Sequence, residues 1–440
     1  METNTATKLN LIARIAKERE TAKFTSLLYL LNADYLYECF LELKKRKAAG
    51  IDGRTVESYS EQEIQIILTQ TAKAIQQKKY RPKPVRSVDI AKENGKTRTL
   101  GIPTVVDKVV QLAITKILSA IYDSSFLEVS YGYRPGRGAH ESLKAVNHMI
   151  MQKKVNWILD ADISGFFDNL DHNWMGKFLG HRITDPNFKR LIYRFLKAGV
   201  MKENIIQESV KGTPQGGIIS PVLANIYLHY VLDLWFAIVE KKKVYGYSEL
   251  VRYADDFIIG VQHDLEAKQM LEALTERLNK FGLTLSKEKT RVIEFGRFAT
   301  ENQKKKGKRK PETFDFLGMT HVCSTTHDGR FMVQVRTSHK KMKKALKAMH
   351  TFLKAARVRH HPKEIWPMLK QKLEGHYNYY GVSGNIEGLK QYYQKVRIYT
   401  FYWFGRKSQR ERWNWEEFER YESRYTLPKP KLTYALYNTW

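Results

Sequence analysis

Two adjacent carboxylates in the middle of the chain have the clearest chemical potential. Asp255 and Asp256 follow Tyr253 and Ala254, between a Val-Arg pair and a Phe-Ile-Ile run. Neighbouring like charges raise each other's pKa, so the pair is costly unless a cation lies nearby. The flanking runs predict a hairpin with the two carboxylates at its tip, where a divalent cation would relieve the repulsion. An ordinary Asp-Asp turn is the alternative.

A second acidic motif precedes the first: Asp162 lies 255 − 162 = 93 residues before Asp255. Side chains alternate along a strand, so Asp160 and Asp162 are expected on one face. A third carboxylate beside Asp255 and Asp256 would complete a two-cation site. There, one Mg²⁺ activates an attacking 3′-hydroxyl and the other holds a triphosphate. Oxygen ligands favour Mg²⁺ over zinc, with Mn²⁺ as a substitute. The spacing alone leaves open whether the motifs meet.

A segment rich in glycine and proline, residues 212–221, predicts a loop that a nucleotide or template base can approach closely. Glycine leaves the backbone uncovered. Gln215, in the middle of the segment, offers an amide for hydrogen bonding. A plain structural loop is the alternative.

Two cations near an Asn-Gly dipeptide are candidates for binding a triphosphate. Lys92 and Arg98 flank this dipeptide, which predicts the turn of a hairpin over residues 85–102. Cations on one hairpin could clamp a triphosphate. Ordinary surface lysine chemistry is the alternative.

The elements that position these motifs predict a mixed α+β fold. Thr104 and Asp107 have capping-box spacing, and the apolar residues that follow have helical periodicity. The remaining elements are predicted as strands over 156–163 and 250–261, a helix over 264–281, and basic helices after residue 338.

The charge balance indicates a polyanionic partner. The 440 residues include 75 Lys and Arg against 46 Asp and Glu, a formal net charge of +29. Solubility needs a far smaller excess. Such a surface attracts nucleic acid, with an anionic membrane as the rival partner. The basic run at residues 304–310 fits a solvated loop or a phosphate contact.

Cysteine usage and hydropathy predict a cytoplasmic protein. Cys39 and Cys323 match neither a disulfide framework nor a zinc spacing. The N-terminus lacks an apolar run before a cleavage site. The longest uncharged stretch, residues 212–232, contains prolines, glycines and polar residues, which argues against a lipid-facing helix. No membrane partner is predicted.

Seven blocks in a fixed order resemble the reverse transcriptases encoded by group II introns, from about residue 8 to the C-terminus. They are RTLGIPTVVDKVVQ, SYGYRPGRGAHESL, DADISGFFDNLDH, GTPQGGIISPVLANIYL, RYADDF, LTLSKEKTRVIEFG and FDFLG.

The resemblance implies roles for individual residues. It assigns catalysis to Asp162, Asp255 and Asp256, which bind metal together with Ile163. The further assignments are dNTP binding by Lys92, Arg98, Phe167 and Gln215, and nucleic-acid binding by Tyr253, Phe314, Leu317, Gly318, Arg406, Lys407 and Arg410. A bulky ring at Phe167, under the incoming sugar, would clash with a 2′-hydroxyl, so dNTP is the expected substrate.

The implied fold is a right-hand polymerase with fingers, a palm with an antiparallel sheet, and a helical thumb or maturase domain. The expected divisions are an N-terminal extension with the start of the fingers at 1–75, fingers at 76–155, a palm at 156–325 with a fingers insertion at about 173–212, and a thumb at 335–440. Thumb aromatics could stack on bases. The spacing of Leu373, His376, Tyr377 and Tyr380 also fits the core stripe of a helix.

The resemblance implies an RNA template, a DNA or RNA primer and, for an intron-encoded protein, its own group II intron RNA, whose splicing it would assist. The resemblance also implies a bacterial-type cytoplasmic protein that is associated with nucleoprotein. The chain has no Cys/His cluster or HNH-type sequence after the thumb, so DNA cutting is not expected. A free-standing reverse transcriptase, for example in antiviral defence, is the alternative. A non-catalytic RNA-binding splicing factor would not need the three carboxylates, Phe167 or Gln215.

Overall fold

The structure is a computed structural model that describes residues 4–91, 97–202, 205–207, 212, 216–405 and 414–437. In that part of the chain the helices are α1 (Asn4–Glu18), α2 (Ala33–Leu41), α3 (Glu61–Gln76), α4 (Val105–Tyr122), α5 (Ala139–Gln152), α6 (His172–Gly180), α7 (Pro186–Leu196), α8 (Ser220–Leu228), α9 (Asp264–Lys280), α10 (Ala299–Lys305), α11 (His339–Arg359), α12 (Pro362–Tyr380), α13 (Ile386–Phe404) and α14 (Trp415–Arg424). The strands are β1 (Val85–Ala91), β2 (Thr97–Ile102), β3 (Trp157–Asp162), β4 (Val200–Lys202), β5 (Ile205–Gln207), β6 (Ser248–Tyr253), β7 (Asp256–Val261), β8 (Arg291–Glu294), β9 (Phe314–Phe316), β10 (Met319–Thr325) and β11 (Phe331–Thr337).

A four-stranded antiparallel sheet, in the order β6-β7-β3-β8, carries the two acidic motifs. Both faces are buried. Ile158 of β3 packs in a cluster with α5, whereas Leu159 and Ala161 pack in the larger cluster that includes α9. Since side chains alternate along a strand, Asp160 and Asp162 lie on the same face as Ile158, as predicted.

The helix before this sheet begins where the capping signal predicted. The Thr104 side chain accepts a hydrogen bond from the Asp107 N–H at 3.2 Å, which satisfies a backbone donor of the first turn of α4. The predicted apolar positions Val110, Ile114, Ile117 and Ile121 are all fully buried. Truncating one of them, such as Ile114→Ala, would cost about 2–5 kcal/mol.

The predicted hairpin of residues 85–102 is formed by β1 and β2, which pair antiparallel down to Ala91 opposite Thr97. The Asn-Gly turn between them lies outside the described residues. β1 also pairs with β4 in parallel, with Val85 opposite Val200, and the full order is β2-β1-β4-β5. This second sheet therefore joins two segments that are distant in sequence.

The helix that begins at Ser220 is long and apolar enough to cross a membrane by length and composition. It continues from α8 through π-helical segments to Glu240, and 72% of its most apolar window is buried inside the protein. Such burial is typical of a core helix.

The C-terminal part is helical, as the sequence predicted, and has a core of its own. α11–α14 surround a cluster that includes Leu373 and Tyr377, and His376 is also buried. The prediction that this stripe of residues forms the core-facing side of a helix is confirmed. A three-stranded sheet, β11-β10-β9, lies between these helices and the central sheet. The mixed α and β composition agrees with the predicted class.

Candidate active site

The two acidic motifs lie side by side on neighbouring strands. β3 and β7 pair antiparallel, and Asp162 is the register partner of Asp256. Directly opposed side chains have Cβ atoms about 4.5–5.5 Å apart. On the other edge of β7, Asp256 is the partner of Tyr253, so Ala254 and Asp255 form the tip of the hairpin. The tertiary structure thus closes the gap of 93 residues that the sequence left open.

A buried arginine supports this tip from behind. Arg252 is fully buried and forms an ion pair with the fully buried Asp233, with its Nε 2.7 Å from Oδ1. Its Nη1 donates to the carbonyl oxygen of Ala254 at 2.9 Å and to Oδ1 of Asn225 at 3.0 Å. Its Nη2 donates to Ser130 Oγ at 2.8 Å. The charge is therefore fully paired, and one of its hydrogen bonds holds the turn directly.

A glycine allows a neighbouring loop to touch the same turn. A Cβ on Gly132 would lie 2.5 Å from the backbone nitrogen of Ala254, so no side chain fits there. The carbonyl of Gly132 accepts a hydrogen bond from Asn225 Nδ2 at 2.7 Å. The ring of the adjacent Tyr133 lies 6.2 Å from that of Tyr253. This loop therefore determines where the hairpin tip can lie.

Neighbouring carboxylates raise the pKa of Asp256. Its side chain is exposed to solvent, but nearby protein atoms partly desolvate its carboxyl and, with the charges of Asp160 and Asp255, raise its pKa to about 7. A hydrogen bond from the main chain of Leu317 acts in the opposite direction. A cation at this edge would favour the ionised form, as the adjacent carboxylates predicted.

Two cationic side chains compensate the β3 carboxylates. Lys289 Nζ lies 3.0 Å from both oxygens of Asp162, whose side chain is 43% exposed. Arg291 pairs with Asp160 at 3.4 Å. Burial raises the pKa of Asp160, and Arg291 counteracts this shift. Within the described ranges, no three His, Cys, Asp or Glu side chains are grouped to hold a metal ion. The donors at this edge are all carboxylate oxygens, which suit hard divalent cations.

Phe167 lies on a short 3-10 turn that follows β3, and its half-buried ring packs on Phe166 at 5.2 Å. Gly212, the first residue of the glycine-rich segment, packs directly on this turn. A Cβ on Gly212 would lie 2.7 Å from the carbonyl oxygen of Phe167, and its φ is +81°. Its carbonyl also contacts His172 Nε2 at 2.6 Å. The start of this segment is thus fixed beside Phe167.

The segment around Phe314, Leu317 and Gly318 connects the site to the C-terminal helices. Phe314 lies in β9, and Leu317 and Gly318 form the tight turn before β10, both with positive φ. The hydroxyl of Tyr379, near the end of α12, donates to the Leu317 carbonyl at 3.0 Å. The main chain of Leu317 thus lies near enough to Asp256 to lower the pKa of its carboxyl, and its carbonyl is bonded to α12.

The other predicted site residues differ in how far the structure describes them. Arg98 lies in β2 opposite Ile90, and its side chain is outside the description. Ile163 is buried and bridges to Leu285 just beyond β3. The predicted residues outside the described part of the chain are Lys92, Gln215, Arg406, Lys407 and Arg410.

Sequence reasoning missed three residues that contact or support the site. Lys289 belongs to the block LTLSKEKT, but no local pattern connects it with Asp162. Arg252 immediately precedes Tyr253, and a charged residue within an apolar strand was the available signal for a buried ion pair. Tyr379 is one aromatic residue among many, and only the fold brings it to Leu317.

Comparison with known proteins identifies the family. Residues 90–321 match the family described as reverse transcriptase (RNA-dependent DNA polymerase). The chain is 30% identical to the group II intron-encoded protein LtrA of Lactococcus lactis subsp. cremoris, over 87% of this chain and 75% of that protein. It is 32% identical to protein YkfC of Escherichia coli K12, over 48% of this chain and 64% of that protein. A protein encoded in the cob intron of Schizosaccharomyces pombe is 28% identical over 60% of this chain.

Proposed function

The chain belongs to the reverse transcriptases of the group II intron type, and from this premise we propose that it copies RNA into DNA at Asp162, Asp255 and Asp256. The observation that carries the proposal is the register of β3 and β7, in which Asp162 is directly opposite Asp256. Carboxylates from two distant motifs thereby share one edge of the sheet. The oxygen-only donors fit two Mg²⁺ ions, or Mn²⁺, bound by these carboxylates and the main-chain carbonyl of Ile163.

When bound, the cations would activate the primer 3′-hydroxyl and stabilise charge on the triphosphate. Asp162, Asp255 and Asp256 would hold them, and Arg252 keeps the hairpin tip in place through the Ala254 carbonyl. The pairing between Lys289 and Asp162 balances charge at the same edge.

The remaining site residues would bind the substrates. Lys92, Arg98 and Gln215 would contact the dNTP, and Phe167 would lie under its sugar. The proposed contacts to template and primer come from Tyr253, Phe314, Leu317, Gly318, Arg406, Lys407 and Arg410. Support for the primer contacts comes from the Leu317 turn, whose main chain lowers the pKa of Asp256 and therefore lies close to that carboxylate.

The proposed domains follow the architecture of a right hand. The N-terminal extension and start of the fingers would be 1–75, the fingers 76–155, the palm 156–325 and the thumb 335–440. The palm range contains the whole central sheet, and the thumb range contains α11–α14. Pairing of β4 with β1 supports a fingers insertion at about 173–212.

Primer extension tests the catalytic proposal. Wild type, Asp255→Ala and the control Glu272→Gln, an exposed acid on α9, would be given an RNA template, a DNA primer, dNTPs and Mg²⁺. We expect extension by wild type and the control, and a loss of at least 100-fold in Asp255→Ala. Equal extension by Asp255→Ala would exclude this metal site.

Sugar selection is tested at Phe167. Phe167→Ala should raise incorporation of rNTPs relative to dNTPs, because the space under the sugar opens for a 2′-hydroxyl. Tyr245→Ala, which removes a 98% exposed ring elsewhere, is the control. An unchanged rNTP/dNTP ratio in Phe167→Ala would contradict the assignment.

We further propose that the protein is an intron maturase in the cytoplasm, associated with its own group II intron RNA. The net charge of +29 and the intron-encoded relatives support this role. Splicing of precursor RNA should rise on addition of wild type or Asp255→Ala, because RNA binding does not need the metal site. If splicing does not rise while extension persists, the protein acts as a free-standing reverse transcriptase.

A further inference from the structure

A large groove lies at the end of the central sheet away from the catalytic carboxylates. It has a volume of about 1260 Å³ and is lined by α5, α10, the end of the β10–β11 hairpin and the C-terminal residues 434–437. Glu249, at the groove, lies four residues before Tyr253 on β6. At about 3.3 Å per residue, roughly 13 Å of strand separates Glu249 from the turn that carries Asp255. Tyr131, at the near end of the groove, donates its N–H to the Arg252 carbonyl at 2.9 Å.

The groove has unpaired positive charge. Lys144, Arg297 and Lys304 line it, all three are exposed, and none forms an ion pair with a described residue. The three acidic residues of the lining are each engaged by the protein itself: Glu301 with Lys305 at 3.3 Å, Glu249 with the Tyr247 hydroxyl, and Glu141 with the Tyr434 hydroxyl at 3.5 Å. A hydrogen bond to a tyrosine hydroxyl leaves the glutamate charged, so the four Lys and Arg residues of the lining exceed its three glutamates by one charge. This small positive excess favours an anionic ligand.

Aromatic rings stand beside these cations. Phe298 is 53% exposed at the groove, and the other aromatic residues of the lining are Tyr131, Phe331, Tyr434 and Tyr437. The exposed Phe298 ring offers a face on which a base can stack. Alternating rings and cations are the means by which proteins bind single-stranded nucleic acid, since bases stack on rings while cations contact phosphates.

The lining also contains an unsatisfied hydrogen-bond donor. Asn147 of α5 lines the groove and is 3% exposed, and its Nδ2 has no hydrogen-bond partner in the described structure. An unpaired buried amide costs about 1–3 kcal/mol. A base or phosphate acceptor in the groove would satisfy this donor only after the Asn147 side chain rotates toward it, because the atom itself is buried.

The basic run of the sequence adjoins the groove. Lys304 and Lys305 form the last turn of α10 rather than lying wholly in a loop, and Lys308, Arg309 and Lys310 follow as exposed residues. The run therefore extends the positive surface beyond the groove. These exposed positions fit both interpretations of the run, a solvated loop and a phosphate contact.

We propose that this groove binds a segment of single-stranded RNA, separate from the template and primer at the catalytic carboxylates. The inference deepens the proposed function, on which it rests, by giving the enzyme a second RNA contact. The volume of the groove exceeds the roughly 300–1,000 Å³ of small-molecule sites, so a polymer segment fits better than a metabolite. The lining carries unpaired cations, whereas the core of a protein–protein interface is typically depleted of charge.

The test measures binding of a labelled single-stranded RNA to full-length enzyme already saturated with a template–primer duplex. The groove variant is Lys144→Ala/Arg297→Ala/Lys304→Ala. The control, Lys241→Ala/Lys242→Ala/Lys280→Ala, removes the same charge from exposed positions elsewhere. Each phosphate contact contributes about −0.7 to the log–log salt slope of single-strand binding, so the groove variant should reduce the slope by about 2. Its affinity should fall at least tenfold.

A second variant tests stacking without a change of charge. Phe298→Ala should weaken RNA binding about 5- to 150-fold, the equivalent of 1–3 kcal/mol for one stacked base. Both groove variants should extend the bound primer at the wild-type rate. Wild-type affinity in both variants, or an equal loss in the charge control, would overturn the proposal. Failure of wild type to extend any primer would instead remove the proposed function, and the RNA-binding result would still be read separately.

Discussion

Arg252→Met is expected to affect stability and catalysis through different contacts. Arg252 and Asp233 are both fully buried, and removing one partner of a buried ion pair costs about 3–5 kcal/mol because the other charge stays unpaired. In Arg252→Met, the free energy of unfolding should therefore fall by at least that amount, since acceptors on Ala254, Asn225 and Ser130 also lose their donor. Asp233→Leu leaves these three hydrogen bonds in place and should cost less.

The double variant Arg252→Met/Asp233→Leu separates the two effects. It leaves no unpaired charge, so it should be more stable than Arg252→Met alone. It still lacks the hydrogen bond to the Ala254 carbonyl, which supports the turn of Asp255. Primer extension should consequently remain impaired in the double variant, whereas Asp233→Leu should keep more activity.

Urea denaturation followed by circular dichroism gives the free energies of unfolding, and primer extension at 20 °C gives the rates of the folded enzymes. A double variant no more stable than Arg252→Met would refute the unpaired-charge reasoning. Wild-type extension by the double variant would refute the role of Arg252 in holding the turn.

Three further predictions concern single side chains. Lys289→Ala should lower the Mg²⁺ concentration for half-maximal extension, because Lys289 otherwise occupies both oxygens of Asp162; an unchanged or higher requirement would contradict this. Tyr379→Phe should lower the free energy of unfolding by about 0.5–1.5 kcal/mol, since one hydrogen bond to Leu317 is lost, and should also slow extension; an unchanged rate would argue against this link. Burial lowers the pKa of His321 to about 3, so the unfolded chain takes up a proton below about pH 6.5 while the folded form does not. The free energy of unfolding should therefore fall between pH 6.5 and pH 4, and less steeply in His321→Leu, as urea titrations would measure; equal slopes would exclude this contribution.

Local features of the chain could be predicted from the sequence because short-range spacing determines them. The cap at Thr104, the buried face of α4, the strands β1 and β2 and the hairpin that carries Asp255 all depend on neighbouring residues. Alternation along β3 likewise put Asp160 and Asp162 on one face. The residue types also limited the ligands that the predicted site can bind, since adjacent carboxylates suit hard cations.

Long-range contacts were decided by the tertiary structure alone. The register of β3 against β7 is fixed by burial of both faces of the sheet, because a shift of one residue would turn every side chain to the wrong face. The same packing brings Lys289 to Asp162, Asp233 to Arg252 and Tyr379 to Leu317.

The groove at the far end of the sheet is likewise formed by long-range packing. Lys144, Arg297 and Tyr434 are distant in sequence, and packing of α5, α10 and the C-terminal segment makes them line one groove. The sequence by itself determined the residue types and local elements that the site requires. Pairings between distant segments required the folded chain, because no local pattern records which segments the core brings together.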